Sequence, residues 1–187
     1  MIDARPLAIT LGDPAGIGGE IIARLFAGSP GDAAGCFVAG DLAHLRRACA
    51  VVAPDGMPLP VAVIDTPAAV SAVPPRCIPL LQVGEPQDLV AWGRIERRAG
   101  RIAADAVVWA ARAALRGEIA GLVTAPLHKE ALAAAGVDFP GHTELLQAEA
   151  AAHLGLPVAE VPVRMMLASD ELRTVLVSIH VSLREAI

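Results

Sequence analysis

Four short stretches of this chain set ionisable side chains at positions where their types and spacing could do chemistry. The first, "TLGDPAGIGGE" from Thr10 to Glu20, sets Asp13 in a glycine-rich turn between an apolar run and a helix-like segment. Glycines let a backbone approach a ligand closely, and N–H groups at a helix start attract anions. The spacing matches neither a dinucleotide fingerprint nor a phosphate loop ending in G-K-[ST]. A structural turn and an anion or substrate site both fit it, with Asp13 as either an Asx-turn former or a site carboxylate.

The second stretch, "GLVTAPLHKE", runs a β-branched segment into His128 and Lys129. In open α/β sheets ligands bind at the carboxyl ends of strands, which makes both residues candidates. A solvated lysine and a capping histidine are the plainer alternative. In the third, "FPGHTELL", His142 and Thr143 stand at the start of a helix-like segment, with Thr143 able to cap it. The helix dipole there disfavours an imidazolium and favours anionic ligands. The fourth, "LVSIHVSL", ends an apolar strand at His180. A lone histidine at that position reads as a core or capping residue, because a metal requires further ligands that the sequence does not supply nearby. The remaining histidines, His44 and His153, fall on alanine- and leucine-rich helix surfaces without polar company and are assigned no function.

The elements that must position these groups follow from apolar periodicity. Short runs rich in β-branched residues alternate with alanine-rich helical stretches, the pattern of an α/β fold with a parallel or mixed sheet flanked by helices. Strands are expected at Leu7 to Leu11, Cys36 to Ala39, Val61 to Ile64, Ile78 to Val83, Gly121 to Thr124, Val163 to Ala168 and Thr174 to Ser178. Helices are expected at Gly18 to Ala27, Asp41 to Ala50 with Asp41 as N-cap, Ile102 to Arg116, Lys129 to Ala135 and Thr143 to Leu154. The final "VSLREAI" opens a helix that stops early, which suggests a piece of something longer.

Composition narrows the function classes. With 187 residues, 55% of them hydrophobic, the chain can bury one compact core. Its apolar runs, such as Val107 to Ala111, fall far short of the roughly 20 residues that span a bilayer, so no membrane partner is expected. No signal-peptide pattern opens the chain, and a cytoplasmic location is expected. A net charge of -5, with no basic cluster longer than Arg94 to Arg98, argues against nucleic acid. Cys36, Cys49 and Cys77 are odd in number and widely spaced, which points to reduced core or near-core thiols. A small polar or anionic metabolite is the favoured partner.

Three segments taken together, "ITLGDPAGIGGE", "GLVTAPLHKEALAAAGVDFPGHTELL" and "MMLASDELRTVLVSIHVSLREAI", resemble the N-terminal half of the 4-hydroxythreonine-4-phosphate dehydrogenase family of pyridoxal phosphate biosynthesis. The resemblance implies an isocitrate/isopropylmalate dehydrogenase-like α/β fold, incomplete at the C-terminus, with residues 1–187 forming the N-terminal part of a two-domain enzyme. It further implies a homodimer whose active site lies between domains and across the subunit interface. The expected cofactors are NAD or NADP and a divalent metal, zinc, cobalt, manganese or magnesium.

Carried over by residue, His142 and Thr143 match the family's substrate-binding pair, and His180 matches the first of three metal-binding histidines. Asp13, His128 and Lys129 lie in matching motifs, with Lys129 a candidate for charge complementarity or proton relay. The implied reaction oxidises 4-hydroxythreonine 4-phosphate to a β-keto acid that decarboxylates to 3-amino-2-oxopropyl phosphate. Gly19 stands where the family often has proline, and "AAHLGLPVAEVPV" is insertion-like. Other members of the family oxidise four-carbon sugar-acid phosphates or aromatic cis-dihydrodiols; the His142–Thr143 pair favours a phosphorylated substrate. The contrasting class is a non-catalytic, truncated module.

Overall fold

The computed structural model describes residues 5–53, 55–178 and 182–187. Strands β1 (Leu7–Thr10), β2 (Cys36–Gly40), β3 (Val61–Val63), β4 (Ile78–Gln82) and β5 (Gly121–Thr124) form a parallel sheet in the order β3-β4-β2-β1-β5. Each strand is paired in parallel with its neighbour, Thr10 of β1 standing between Ala39 of β2 and Thr124 of β5.

A parallel sheet buries both faces, and alternate residues divide between them. Ile9, Leu11, Cys36, Val38, Ile78 and Leu80 form one core with Ile22 and Ala23 of α1 (Gly18–Gly28) and Leu45 and Cys49 of α2 (Leu42–Val52). Ala8, Phe37, Ala39 and Leu81 form the opposite core with Ala110 and Ala113 of α3 (Arg97–Leu115). There Phe37 meets Trp109 edge to face, with ring centroids 5.9 Å apart. The cysteines are unpaired, Cys36 and Cys49 lying inside the first core.

Helices α4 (Lys129–Ala134) and α5 (His142–Leu154) both pack against α3. The α3–α4 crossing is tight at Gly100, where a Cβ would collide with the Ala131 carbonyl. Arg112 of α3 grips Glu149 of α5 through two hydrogen bonds, at 2.7 and 3.2 Å.

Three expectations need correction. Helix α3 begins at Arg97, not Ile102, because the arginine-rich turn before the apolar stripe is itself a good helix former and its Ala99 and Gly100 are buried. Strands β6 (Met166–Ala168) and β7 (Arg173–Val175) are shorter than expected and do not extend the main sheet. They pair antiparallel with each other, because Ser169 and Leu172 close a tight turn between them, Ser169 N–H donating to the Leu172 carbonyl at 2.8 Å. Helix α5 starts at His142, one residue before the expected cap Thr143. Gly141 takes the N-cap position and supplies no side-chain bond. A last short helix, α6 (Leu183–Ala186), opens with a capping box from Ser182 and Glu185.

Candidate substrate site

The chain leaves β1 toward the α1–α2 face and leaves β5 toward the α3 face, so the two neighbouring strand ends open in opposite directions. Such a switch point is where parallel α/β sheets hold ligands. Asp13 follows β1 on one side of it, and Ala125 to Lys129 follow β5 on the other. The loops touch: the Asp13 N–H donates to the Pro126 carbonyl at 2.9 Å.

The glycine-rich turn resolves toward architecture. Gly12 holds φ +72, a left-handed conformation, and a Cβ there would collide with the Pro126 carbonyl. Gly18 is pressed against the Leu11 carbonyl and Gly19 against Ala48. These close approaches are to the chain's own atoms, so at these glycines the turn cradles its own neighbours. Asp13 is buried and its Oδ1 accepts the Ala15 N–H at 2.8 Å, an Asx turn that shapes the loop.

His128 is the N-cap of α4 by position and makes no side-chain cap bond; its carbonyl accepts the Leu132 N–H at 3.0 Å. It and Lys129 are exposed, and neither side chain meets a hydrogen-bonding or ionic partner among the described residues. His142 and Thr143 open α5, both half-buried. The His142 Nε2 is walled off from solvent with no hydrogen-bond partner, and burial pushes the imidazole's pKa below its ordinary value. A neutral imidazole with an unmet ring nitrogen therefore stands at a helix start where, among the described residues, the N–H groups of His142, Thr143 and Glu144 find no acceptor. That combination suits an oxyanion or hydroxyl of a ligand. No hydrogen bond or ion pair among the described residues joins His142 or Thr143 to Asp13, His128 or Lys129. His180 lies outside the described residues.

His44 overturns its expectation. It is buried, 3% exposed, in a polar network at the carboxyl ends of β2 and β4. Asp41 caps α2, its Oδ1 accepting the His44 N–H at 3.1 Å and the His44 Nδ1–H at 2.6 Å. Its Oδ2 accepts from Gln82 Nε2 at 3.2 Å and from the Gln87 N–H at 3.0 Å. The His44 Nε2 in turn accepts the Val90 N–H at 3.1 Å, which places the ring proton on Nδ1. Burial alone would raise the Asp41 pKa, but these hydrogen bonds outweigh it and hold the carboxyl at about 2. One turn further along α2, Arg47 donates to the Val90 and Pro14 carbonyls. The network straps residues 83–96 across the strand ends. The alanine-rich surroundings of His44 concealed it; the signal in the sequence was Asp41 three residues ahead of His44, a cap within reach of a ring.

The family model described as pyridoxal phosphate biosynthetic protein PdxA matches residues 32–187. The chain belongs to that family. It is 42% identical over 187 residues to 4-hydroxythreonine-4-phosphate dehydrogenase of Beijerinckia indica subsp. indica, covering 100% of this chain and 51% of that protein. It is 35% identical over 186 residues to D-threonate 4-phosphate dehydrogenase of Salmonella typhimurium, covering 98% and 53%. The crystal structure of 4-hydroxythreonine-4-phosphate dehydrogenase from Klebsiella pneumoniae matches with a TM-score of 0.79 at 33% identity, over 97% of this chain and 52% of that one. A terephthalate 1,2-cis-dihydrodiol dehydrogenase from Burkholderia xenovorans LB400 shares the fold at 23% identity and a TM-score of 0.66, over 97% and 50%. The chain spans about half the length of these relatives.

Membership of the PdxA family brings dehydrogenases as relatives, and the donor sets can be tested against what such enzymes require. Among the described residues, no three His, Cys, Asp or Glu side chains converge to hold a metal ion. Asp41 and His44 are saturated by protein partners. The described residues thus do not by themselves form a complete ligand set for a divalent ion, and the glycine turn lacks the spacing of a dinucleotide fingerprint. No helix among them is long and apolar enough to cross a membrane.

Proposed function

We propose that this chain supplies the N-terminal, substrate-holding part of a two-domain NAD(P)-linked dehydrogenase that oxidises 4-hydroxythreonine 4-phosphate. The product is the β-keto acid that decarboxylates to 3-amino-2-oxopropyl phosphate, a step of pyridoxal phosphate biosynthesis. Relatives named D-threonate 4-phosphate dehydrogenase, at 35% and 39% identity, support a second reading in which the substrate is a four-carbon sugar-acid phosphate. Both substrates carry a phosphate ester and a secondary alcohol.

The observation that carries the reading is the uncapped start of α5, where the unmet Nε2 of His142 becomes available to the ester on a turn of its half-buried ring. The neutral imidazole gives a hydrogen bond to the bound ester, Thr143 adds a hydroxyl, and the free N–H groups of the first turn complement the negative charge. His128 and Lys129 contribute donors from the β5 end, Lys129 as charge partner or proton relay. Asp13 serves through the loop it shapes. His180 remains the proposed metal ligand; the described residues provide neither a metal cluster nor a dinucleotide cradle, and no step here passes through those groups. The same reading entails a cytoplasmic homodimer with its site at the subunit interface, supported by the exposed apolar side chains Met166, Leu167 and Val175 of the β6–β7 hairpin.

Calorimetric titration of the chain with 4-hydroxythreonine 4-phosphate and D-threonate 4-phosphate tests this. Binding of at least one ester is expected, weakened about tenfold or more by His142→Ala, the value of one hydrogen bond to a charged group. No heat from either ester with the unaltered chain rejects the proposal.

A further inference from the structure

Arg47 joins two loops that end at different strands. Its Nη1 donates to the Val90 carbonyl in the segment between β4 and α3, and its Nη2 donates to the Pro14 carbonyl after β1 at 2.7 Å. The guanidinium also lies 4.3 Å from the centroid of the Trp92 ring, a cation–π contact. Pro14 directly follows Asp13, whose N–H donates to the Pro126 carbonyl at 2.9 Å. Pro126 stands shortly before His128 and Lys129. From Arg47 to those two residues the path is two hydrogen bonds and short backbone, and a proline of fixed φ accepts each bond. His44, on the same helix, reaches only the first loop, through the Val90 N–H.

We infer that Arg47 is a positioning residue for the β5–α4 loop. By holding Pro14 it sets where the Asp13 N–H meets Pro126, and so where His128 and Lys129 stand. This rests on the reading of those two residues as part of the substrate site. Arginine suits the task because its planar fork donates to two separate carbonyls at once, whereas lysine offers a compact ammonium that cannot span both in one fixed geometry. Groups that orient a substrate act through such packed and hydrogen-bonded support.

The test pairs amide chemical shifts of the isotope-labelled chain with calorimetric affinity for 4-hydroxythreonine 4-phosphate. Arg47→Met keeps the length of the side chain and removes both donors. It should move the amide resonances of Asp13, Leu127, His128 and Lys129 and weaken binding about tenfold, as for one misplaced hydrogen bond to a charged group. His44→Asn loosens the same strap at the Val90 N–H and leaves both Arg47 donors, and the Gly93 N–H bond to the Ala15 carbonyl at 2.9 Å, in place. It should leave those four amides and the affinity in place even where stability falls, which a merely structural role for Arg47 would not produce. Unmoved amides in Arg47→Met, or equal movement in both variants, overturns the inference. Arg47→Lys, expected to shift the same amides by less, serves if the methionine variant does not fold. Failure of the unaltered chain to bind the ester rejects the substrate reading alone, since the amide shifts still decide the role of Arg47.

Discussion

The carboxyl edge of the sheet has two polar regions with opposite bonding. Around Asp41 and His44 the described polar side-chain atoms are met by protein partners, two bonds closing the α2 cap and the others reaching Gln82 of β4 and the Gln87 and Val90 N–H groups of the next loop. Around β5 and α5, Lys129 and His128 are exposed and the His142 Nε2 is buried, all three without a partner among the described residues. Burying a polar group without a hydrogen bond is unfavourable, so native chains complete such groups unless another molecule completes them. The first region is architecture that happens to contain a histidine and an aspartate. The second is the region that the proposed ester would complete.

Substitutions can break or sharpen this contrast. The largest loss of stability is expected for Asp41→Ala, which removes the α2 cap and strands the His44, Gln82 and Gln87 donors. Urea unfolding should show destabilisation of about 3 to 5 kcal/mol. Next comes Gly100→Ala, whose methyl group would drive α4 away from α3, for a loss of about 2 kcal/mol by the same measurement.

The Asp41 carboxyl adds a dependence on pH of similar size. Its folded pKa of about 2 lies below its ordinary value of 3.8, so its stabilisation is complete above about pH 4. That stabilisation, about 2 kcal/mol, is lost as pH falls through 2, and Asp41→Asn should flatten this part of the stability profile. At the small end, Lys129→Ala should change stability by no more than about 0.5 kcal/mol while weakening binding of a phosphate ester. A Lys129 variant with unaltered affinity would erase the difference between the two regions.

Much of the frame was readable in the residues. The five strands of the parallel sheet fall where short apolar runs were expected; β2 and β4 of the sheet interior are apolar because both their faces are covered, whereas the edge strands β3 and β5 stay partly exposed. Asp41 was read as a cap and is one. The order of "ITLGDPAGIGGE", "GLVTAPLHKEALAAAGVDFPGHTELL" and "MMLASDELRTVLVSIHVSLREAI" pointed to the chain's family, and the family match with the 42%-identical relative over the whole chain bears that out. Less readable were features that depend on contacts distant in sequence. His44 looked idle because its alanine-rich neighbours in the chain are not its neighbours in space; Val90 lies 46 positions away. Thr143 looked like a cap because cap propensity is local, whereas the helix starts one residue earlier, at His142, with Gly141 in the cap position.

Local sequence determined the periodicities, the turn chemistry and the residue types available at each strand end, since these depend on side chains a few positions apart. Tertiary structure alone decided which polar groups are completed by the protein and which are left over, since that depends on which distant loops arrive beside them. The glycines of the β1–α1 turn show the division well. Their spacing permits a close approach by either a ligand or the protein's own backbone, and only the packing of Leu11, Ala48 and Pro126 against them selects the second.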